Sequence, residues 1–479
     1  MVAIEQLKKK SVLLGNGINI QFGGKAYSNR FILSRIVFNA LCDKYENLFE
    51  GTLSGKEIEN IFRGLLPTAN SVLNGKYDEI RTDEDEVKEA VAEFKAQNAN
   101  RSKFEHYYEI PLEDWFLLLR LAFLDNPDLS DMWKASKQGL EWMILDAIYN
   151  EGRIQEVYQK MKKPVKRYFK SFDSIFTLNY DNNIEKLTNK TVYHLHGDYS
   201  VLADSENPET IQGFLNRQKG QLVINPEYPQ CYCNALLNFS GWHKYNTAQE
   251  KLKLIQVLEQ IKQLHKNDIV EFQATRLHME SEVAGTAQII DTYIAHPELK
   301  AATDYHFSEL EALSGELHII GLSPQNDSHI FSSIEKSHIA KAVFYSYGEP
   351  PRTLPLTKTY EFRDIKALWK SLDADLPKYN CGRNYPSSED AKKFFELFNL
   401  LSFDPITEDE MRKEANSIPD FIAKPLCQEA INLLKTQDHP KNEEALYKQF
   451  RTVSRIALRE GIYPSAFYLL LIDNFSKLA

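Results

Sequence analysis

Three side chains in one short stretch have the types that chemistry on a ribosyl group needs: Asn179, Asp181 and His196. Asn can hold sugar hydroxyls or a water, and Asp can accept from an amide or a hydroxyl. The imidazole pKa suits general-base work near neutrality. The same residues have a plainer use. Asn179 and Asp181 can cap a following helix, and His196 can be a satisfied structural histidine. His194 stands two residues before His196, and in a strand ending His-Leu-His both rings point to one face. His196 is preferred because it lies nearer the strand end and directly precedes Gly197, where the backbone can open toward a ligand.

These residues need elements that present them together. Ser174-Ile175-Phe176-Thr177-Leu178 reads as a buried strand that stops at Asn179-Tyr180-Asp181, and Thr191-Val192-Tyr193 as a second that stops at His194-Leu195-His196-Gly197-Asp198. Residues 182–189 between them are long enough for about two helical turns. In an open α/β sheet both tips lie at the carboxyl edge, where ligands bind. Near the N-terminus, Ser11-Val12-Leu13-Leu14 runs into Gly15-Asn16-Gly17-Ile18-Asn19, the form of a phosphate-cradling turn ahead of a helix. The full G-x-G-x-x-G spacing is not met, since Gly23-Gly24 come too late, and a plain β-turn fits as well. Further on, Leu317-His318-Ile319-Ile320 ends in Gly321-Leu322-Ser323, which suits a ribose or phosphate, with Asp327 four residues later. Ala342-Val343-Phe344-Tyr345 is a further strand. The fold expected is α/β: a Rossmann-like, mostly parallel sheet with a large helical insertion and a helical C-terminal unit.

In this order, strand–GNG, FTLNYDNNIE, VYHLHGD and LHIIGLS, the motifs resemble the sirtuin-like superfamily, and more specifically the bacterial sirtuin-like NAD-cleaving effectors of antiphage defence. The resemblance implies that Gly15, Asn16, Gly17 and Asn19, with Gly321 and Ser323, bind the dinucleotide. It implies that Asn179 and Asp181 hold the ribose, water and nicotinamide end, and that His196 is catalytic. NAD+ is then a substrate, cleaved to nicotinamide and ADP-ribose, and no further cofactor is needed. The implied setting is a cytoplasmic effector of abortive infection, a homo-oligomer or a complex with a separate sensor subunit. Two departures matter. The Gly-Asn-Gly turn replaces the usual Gly-Ala-Gly and is similar to abortive-infection proteins of the AbiH type. The five cysteines, Cys42, Cys231, Cys233, Cys381 and Cys427, do not form the two Cys-x-x-Cys pairs of the sirtuin zinc module, so no metal ligand is named. The alternatives are a non-catalytic nucleotide-sensing module and an AbiH-type protein with another activity.

The bulk properties bound the rest. A chain of 479 residues predicts two or three domains. A net charge of −10 argues against non-specific nucleic-acid binding, which needs a basic surface. Few, scattered cysteines suit a reducing cytoplasm, and no run is long enough for a membrane span. Residues 28–170 read mostly helical, with EDWFLLLRLAFL apolar nearly all round and hence buried. Leu222-Val223-Ile224-Asn225-Pro226 reads as a short strand, and 246–265 as an amphipathic helix. The sheet is expected to end near Gly348-Glu349-Pro350-Pro351. The domains expected are a catalytic domain over 1–350, a linker over 351–387, and a helical unit over 388–479 that carries a Thr407-x-x-Glu410 capping box.

Overall fold

The computed structural model describes residues 9–46, 53–80, 82, 84–221, 224–238, 240–324, 326–383, 385, 389–436 and 443–478. In chain order, β1 (Lys10–Leu14) runs into helix α1 (Gly17–Gly23), and α2 (Asn29–Leu41) opens a helical stretch that ends with the helix Lys163–Lys170. Then come β2 (Ser174–Thr177), α3 (Asn183–Thr188), β3 (Tyr193–His194), α4 (Gly241–Asn267), β4 (Ser314–Ile320), α5 (Ser328–Lys336), β5 (His338–Ser346) and β6 (Tyr360–Asp364). Helices follow, including α6 (Glu443–Glu460) and a last one over Pro464–Leu478. No helix among the described residues is long and apolar enough to cross a membrane.

The six strands form one parallel sheet in the order β3-β2-β1-β4-β5-β6. In β1, Val12, Leu13 and Leu14 are wholly buried, as are Ile175 and Phe176 in β2 and Leu317 and Ile319 in β4. Continuous apolar runs of this kind are what a parallel sheet covered on both faces requires. Leu13 lies level with Phe176 on one side and Ile319 on the other, so three strands end together. The chain winds from β1 outward through β2 to β3, then returns to β4 beside β1 and winds the other way. The carboxyl edge between β1 and β4 is therefore a topological switch point, where α/β sheets place ligands.

Two compact units make up the chain: Met1–Ile18 with Gln155–Ala374, which holds the sheet, and Asn19–Ile154 with Asp375–Ala479, which is helical. The second unit joins segments far apart in sequence. The buried Arg35 of α2 donates to the Ala147 carbonyl oxygen and to that of Leu458, both at 3.0 Å. Arg30 pairs with Asp404 while stacking on Tyr108 and Tyr463. Gly461, at φ +72°, sits so close that a Cβ on it would lie 2.3 Å from the Ala26 nitrogen. Ala423, Ala430, Ala457 and Ala466 let these helices approach closely around Phe467 and Leu470, with Phe38 packed against the same core.

Several expectations change. Of the helical segment 28–170, residues up to Ile154 group with 375–479 in the second unit, where Arg30, Arg35 and Phe38 find their partners, and 155–170 belong to the unit that holds the sheet. Residues 351–387, expected as a linker, carry β6 and the helix Ile365–Ser371. β6 is an edge strand whose residues are half-buried or exposed, so it lacks the apolar run that marks its neighbours. In the strand expected over 222–226, residues 222 and 223 lie outside the described ones, and 224–226 form no strand. The capping box is present: Thr407 accepts from the Glu410 amide, and Glu410 accepts from that of Thr407.

Candidate functional site

The turns after β1 and β4 meet at the switch point. Gly15 N donates to the Ile320 carbonyl at 2.9 Å, and Gly17 N to that of Gly321 at 3.1 Å. A Cβ on Gly15 would lie 2.5 Å from the Gly321 oxygen, and one on Gly17 2.6 Å from the Gly321 Cα. Gly321 itself sits at φ +78°. Glycine is thus required here by two backbones packing on each other, before any ligand is considered. Asn16 is exposed between the glycines, and Asn19, further along α1, is buried. The Ser323 amide donates to Asp327 Oδ2 at 3.1 Å, which closes the β4 turn ahead of α5.

The β2 tip is tied to this turn. Asn179 Nδ2 donates to the Gly15 oxygen at 3.2 Å, and its amide to Thr177 Oγ1 at 3.0 Å. Asp181 is buried, and its Oδ1 accepts from the Asn183 amide at 3.1 Å and from Asn183 Nδ2 at 2.5 Å. That is an Asx-turn leading into α3, whose N-cap position is Asn182 and not Asp181.

The two histidines part company. β3 ends at His194 and the chain turns, so the two-residue period does not reach His196. His194 Nδ1 donates to the Asn179 carbonyl at 2.9 Å, and Nε2 to Glu185 Oε1 at 2.6 Å. Both partners accept, which calls for the doubly protonated ring. Burial works against that charge, but the Glu185 carboxylate, with Asp198 and the Asn179 carbonyl, holds the His194 pKa above its ordinary value. His194 is a clamp between the β2 tip and α3.

His196 is 4% exposed, and its Nε2 lies 2.9 Å from Nε2 of His329, which is 1% exposed. The rings are nearly parallel, 15° apart with centroids at 5.1 Å. Burial, then the Lys244 charge and His329, push the His196 pKa well below the ordinary range. Burial and Lys244 lower that of His329 to about 3. Both rings are neutral at pH 7, so one Nε2–H donates and the other accepts. His329 Nδ1 is buried without a partner and faces Gly241 of α4, where a Cβ would lie 2.0 Å away. Lys244, one turn further along α4, is buried to 1% exposure. Gly197, at φ +87°, packs on the Asn234 backbone, and Asn234 Oδ1 accepts from the Asp198 amide at 2.8 Å. His329, Lys244 and Asn234 were not singled out from sequence. The signal available for His329 was its place two residues after Asp327, in the helix that follows the Gly-x-Ser turn.

A cleft of about 670 Å³ is lined among others by His194, Asp198, Asn234, Lys262, Lys300 and His306. Beside it, Asp304, His306 and Glu309 each bring one potential metal-ligand atom within 4.8 Å of the others, a group that the sequence reading did not name. Cys231 and Cys233 are buried free thiols, the second pushed up to about 12 by burial. The structure thus brings Gly15, Gly17 and Asn179 together with Gly321, and places His196 in a buried pair of its own. No protein-family model, curated protein or solved structure significantly matches this chain.

Proposed function

We propose that this chain is an NAD+ glycohydrolase that cleaves NAD+ to nicotinamide and ADP-ribose at the carboxyl edge of its sheet. One observation carries the reading: the β1 and β4 glycine turns meet at the switch point of a doubly wound parallel sheet, with the Asn179 tip hydrogen-bonded to the first of them. Here Gly15, Asn16, Gly17, Asn19, Gly321 and Ser323 hold the phosphates and the adenosine half. Asn179 orients ribose hydroxyls and the attacking water, and Asp181 holds the carboxamide. Water adds to the ribosyl carbon as the bond to nicotinamide breaks, and one proton is released. Nicotinamide leaves neutral from a cationic ring, so its departure needs no acid. His196, kept neutral, takes the proton at the nitrogen not shared with His329. Motif resemblance extends the proposal to a triggered, cytoplasmic antiphage effector, acting as a homo-oligomer or with a separate sensor subunit.

A second reading, a nucleotide-binding module without turnover, is favoured by the prior commitments of the polar groups. The Gly15 and Gly17 amides, Asp181 and His196 all have partners within the chain. Incubation of the full chain with NAD+ and quantification of nicotinamide separates the two. His196→Ala should lower turnover by about two to four orders of magnitude, the span of a general base, and Asn179→Ala should do comparable harm. NAD+ binding with no nicotinamide released establishes the second reading. Turnover retained in His196→Ala but abolished in His194→Ala overturns the assignment of roles.

A further inference from the structure

The helical unit encloses a cavity of about 210 Å³, walled among others by Val37, Phe38 and Leu41 of α2, by Phe450 and Leu458 of α6, and by Phe403. Protein interiors are close-packed, and voids larger than a water are few. An engineered cavity of about 150 Å³ with apolar walls stays dry and binds benzene, so this one is large enough for a fused pair of rings. Three serines interrupt the apolar part of the lining, Ser34, Ser402 and Ser454, and the Ser34 hydroxyl donates to the Arg30 carbonyl at 2.9 Å. Ser454, in the middle of α6, is 0% exposed, and its hydroxyl has no hydrogen-bond partner. A serine within a helix commonly bonds back to the carbonyl one turn earlier; Thr452, two residues before, does so, to the Lys448 oxygen at 3.1 Å. A buried hydroxyl left unpaired beside an empty apolar space is costly, and a ligand oxygen would satisfy it.

We infer that this cavity is a binding site for a small, neutral, mostly aromatic molecule that carries one hydroxyl or carbonyl group, which pairs with Ser454. The charges on its lining are already engaged. Arg451 donates to the Leu41 carbonyl at 3.0 Å, and Asp404 is held by Arg30. Burial pushes the Cys42 thiol up to about 11, so that side of the wall is uncharged as well. Tyr447 also lines the cavity and is 40% exposed.

The test uses the full chain with two probes, naphthalene and 2-naphthol, followed by calorimetry and ligand-observed NMR. Both should bind, 2-naphthol the tighter. Ser454→Ala should weaken 2-naphthol about five- to tenfold, the worth of one hydrogen bond, and leave naphthalene unchanged. Ser454→Leu, which fills the space, should abolish both while the circular dichroism stays that of the parent. Failure of the parent chain to bind either probe at millimolar concentration overturns the site as a mere packing void. Equal binding of 2-naphthol by the parent and Ser454→Ala overturns the role of the hydroxyl.

Discussion

Replacing Glu185 by Gln tests the idea that His194 is a charged clamp. The change keeps the size of the side chain but removes the carboxylate that stabilises the imidazolium. Removing one member of a buried ion pair costs about 3–5 kcal/mol, and a hydrogen bond to a charged group is worth about 1.5–3 kcal/mol. The Glu185 side chain is 27% exposed and that of His194 9%, so solvent screening places the loss near the lower range, about 2 kcal/mol. The sign with pH follows from the raised pKa. The stabilisation is fully present below the unfolded value near 6.5 and fades as pH rises through the folded one. His196 and His329 act oppositely: their lowered pKa values make the folded state lose stability as pH falls below about 6.5. The wild-type curve mixes both effects, so the difference between variant and parent is the quantity to measure. The sheet-bearing unit has about 240 residues, for which each kcal/mol moves the melting temperature by about 2–4 °C. Glu185→Gln should therefore melt about 4–8 °C below the parent at pH 5.5, with a gap that narrows steadily toward pH 9. A gap of the same size at both ends, or none at pH 5.5, refutes the charged clamp.

Asp114 opens the helix Asp114–Leu124 in a buried position, with Oδ2 unpartnered and its pKa held well above the usual carboxylate range by burial, with Glu113 and Glu93 adding to it. Its contribution is present at low pH and lost as pH rises, so Asp114→Asn should stabilise the helical unit by on the order of 1 kcal/mol at pH 8 and by less at pH 5; a lower melting temperature at pH 8 contradicts this. Gly17→Ala places a methyl against the Gly321 backbone and should cost about 1–3 kcal/mol, the usual range for overpacking. Wild-type melting combined with lost nucleotide binding would show that Gly17 serves ligand approach and not loop packing.

The sheet was legible where its residues form continuous apolar runs. Val12-Leu13-Leu14, Ile175-Phe176, Leu317-His318-Ile319-Ile320 and Val343-Phe344-Tyr345 each gave a strand, and each is followed by the small or polar residues of a turn. β6 was missed because Tyr360, Phe362 and Arg363 sit at an edge, half-buried or exposed, and carry a mixed pattern. The β2 and β4 tips were legible as motifs, but the partners of their side chains were not. His196 meets His329 across 133 residues of sequence, and no local pattern signals such a contact. The grouping of 19–154 with 375–479 is invisible for the same reason. It rests on single long-range bonds such as Arg35 to the Leu458 carbonyl, and on alanines whose smallness matters only once a partner helix is known.

The His196–His329 pair sets what each reading of the site requires. An N–H on His329 Nδ1 would point at Gly241 with no acceptor, whereas a bare nitrogen there leaves only a lone pair unmet. Buried unpaired N–H groups are the rarer of the two kinds of orphan. The resting proton therefore sits on His329 Nε2 and is donated to His196 Nε2, and His196 carries its own proton on Nδ1. In that form His196 is a hydrogen-bond donor, which suits the binding of a ligand oxygen. To act as a base at Nδ1 it must first carry its proton on Nε2, which leaves His329 with the orphan N–H. The penalty is that of one unsatisfied buried donor, about 1–3 kcal/mol, or roughly 5- to 160-fold in rate. Enzymes accelerate reactions by about six orders of magnitude or more, so the shift limits a hydrolase without preventing one. The same penalty is absent from a binding-only site, where the resting tautomer already serves.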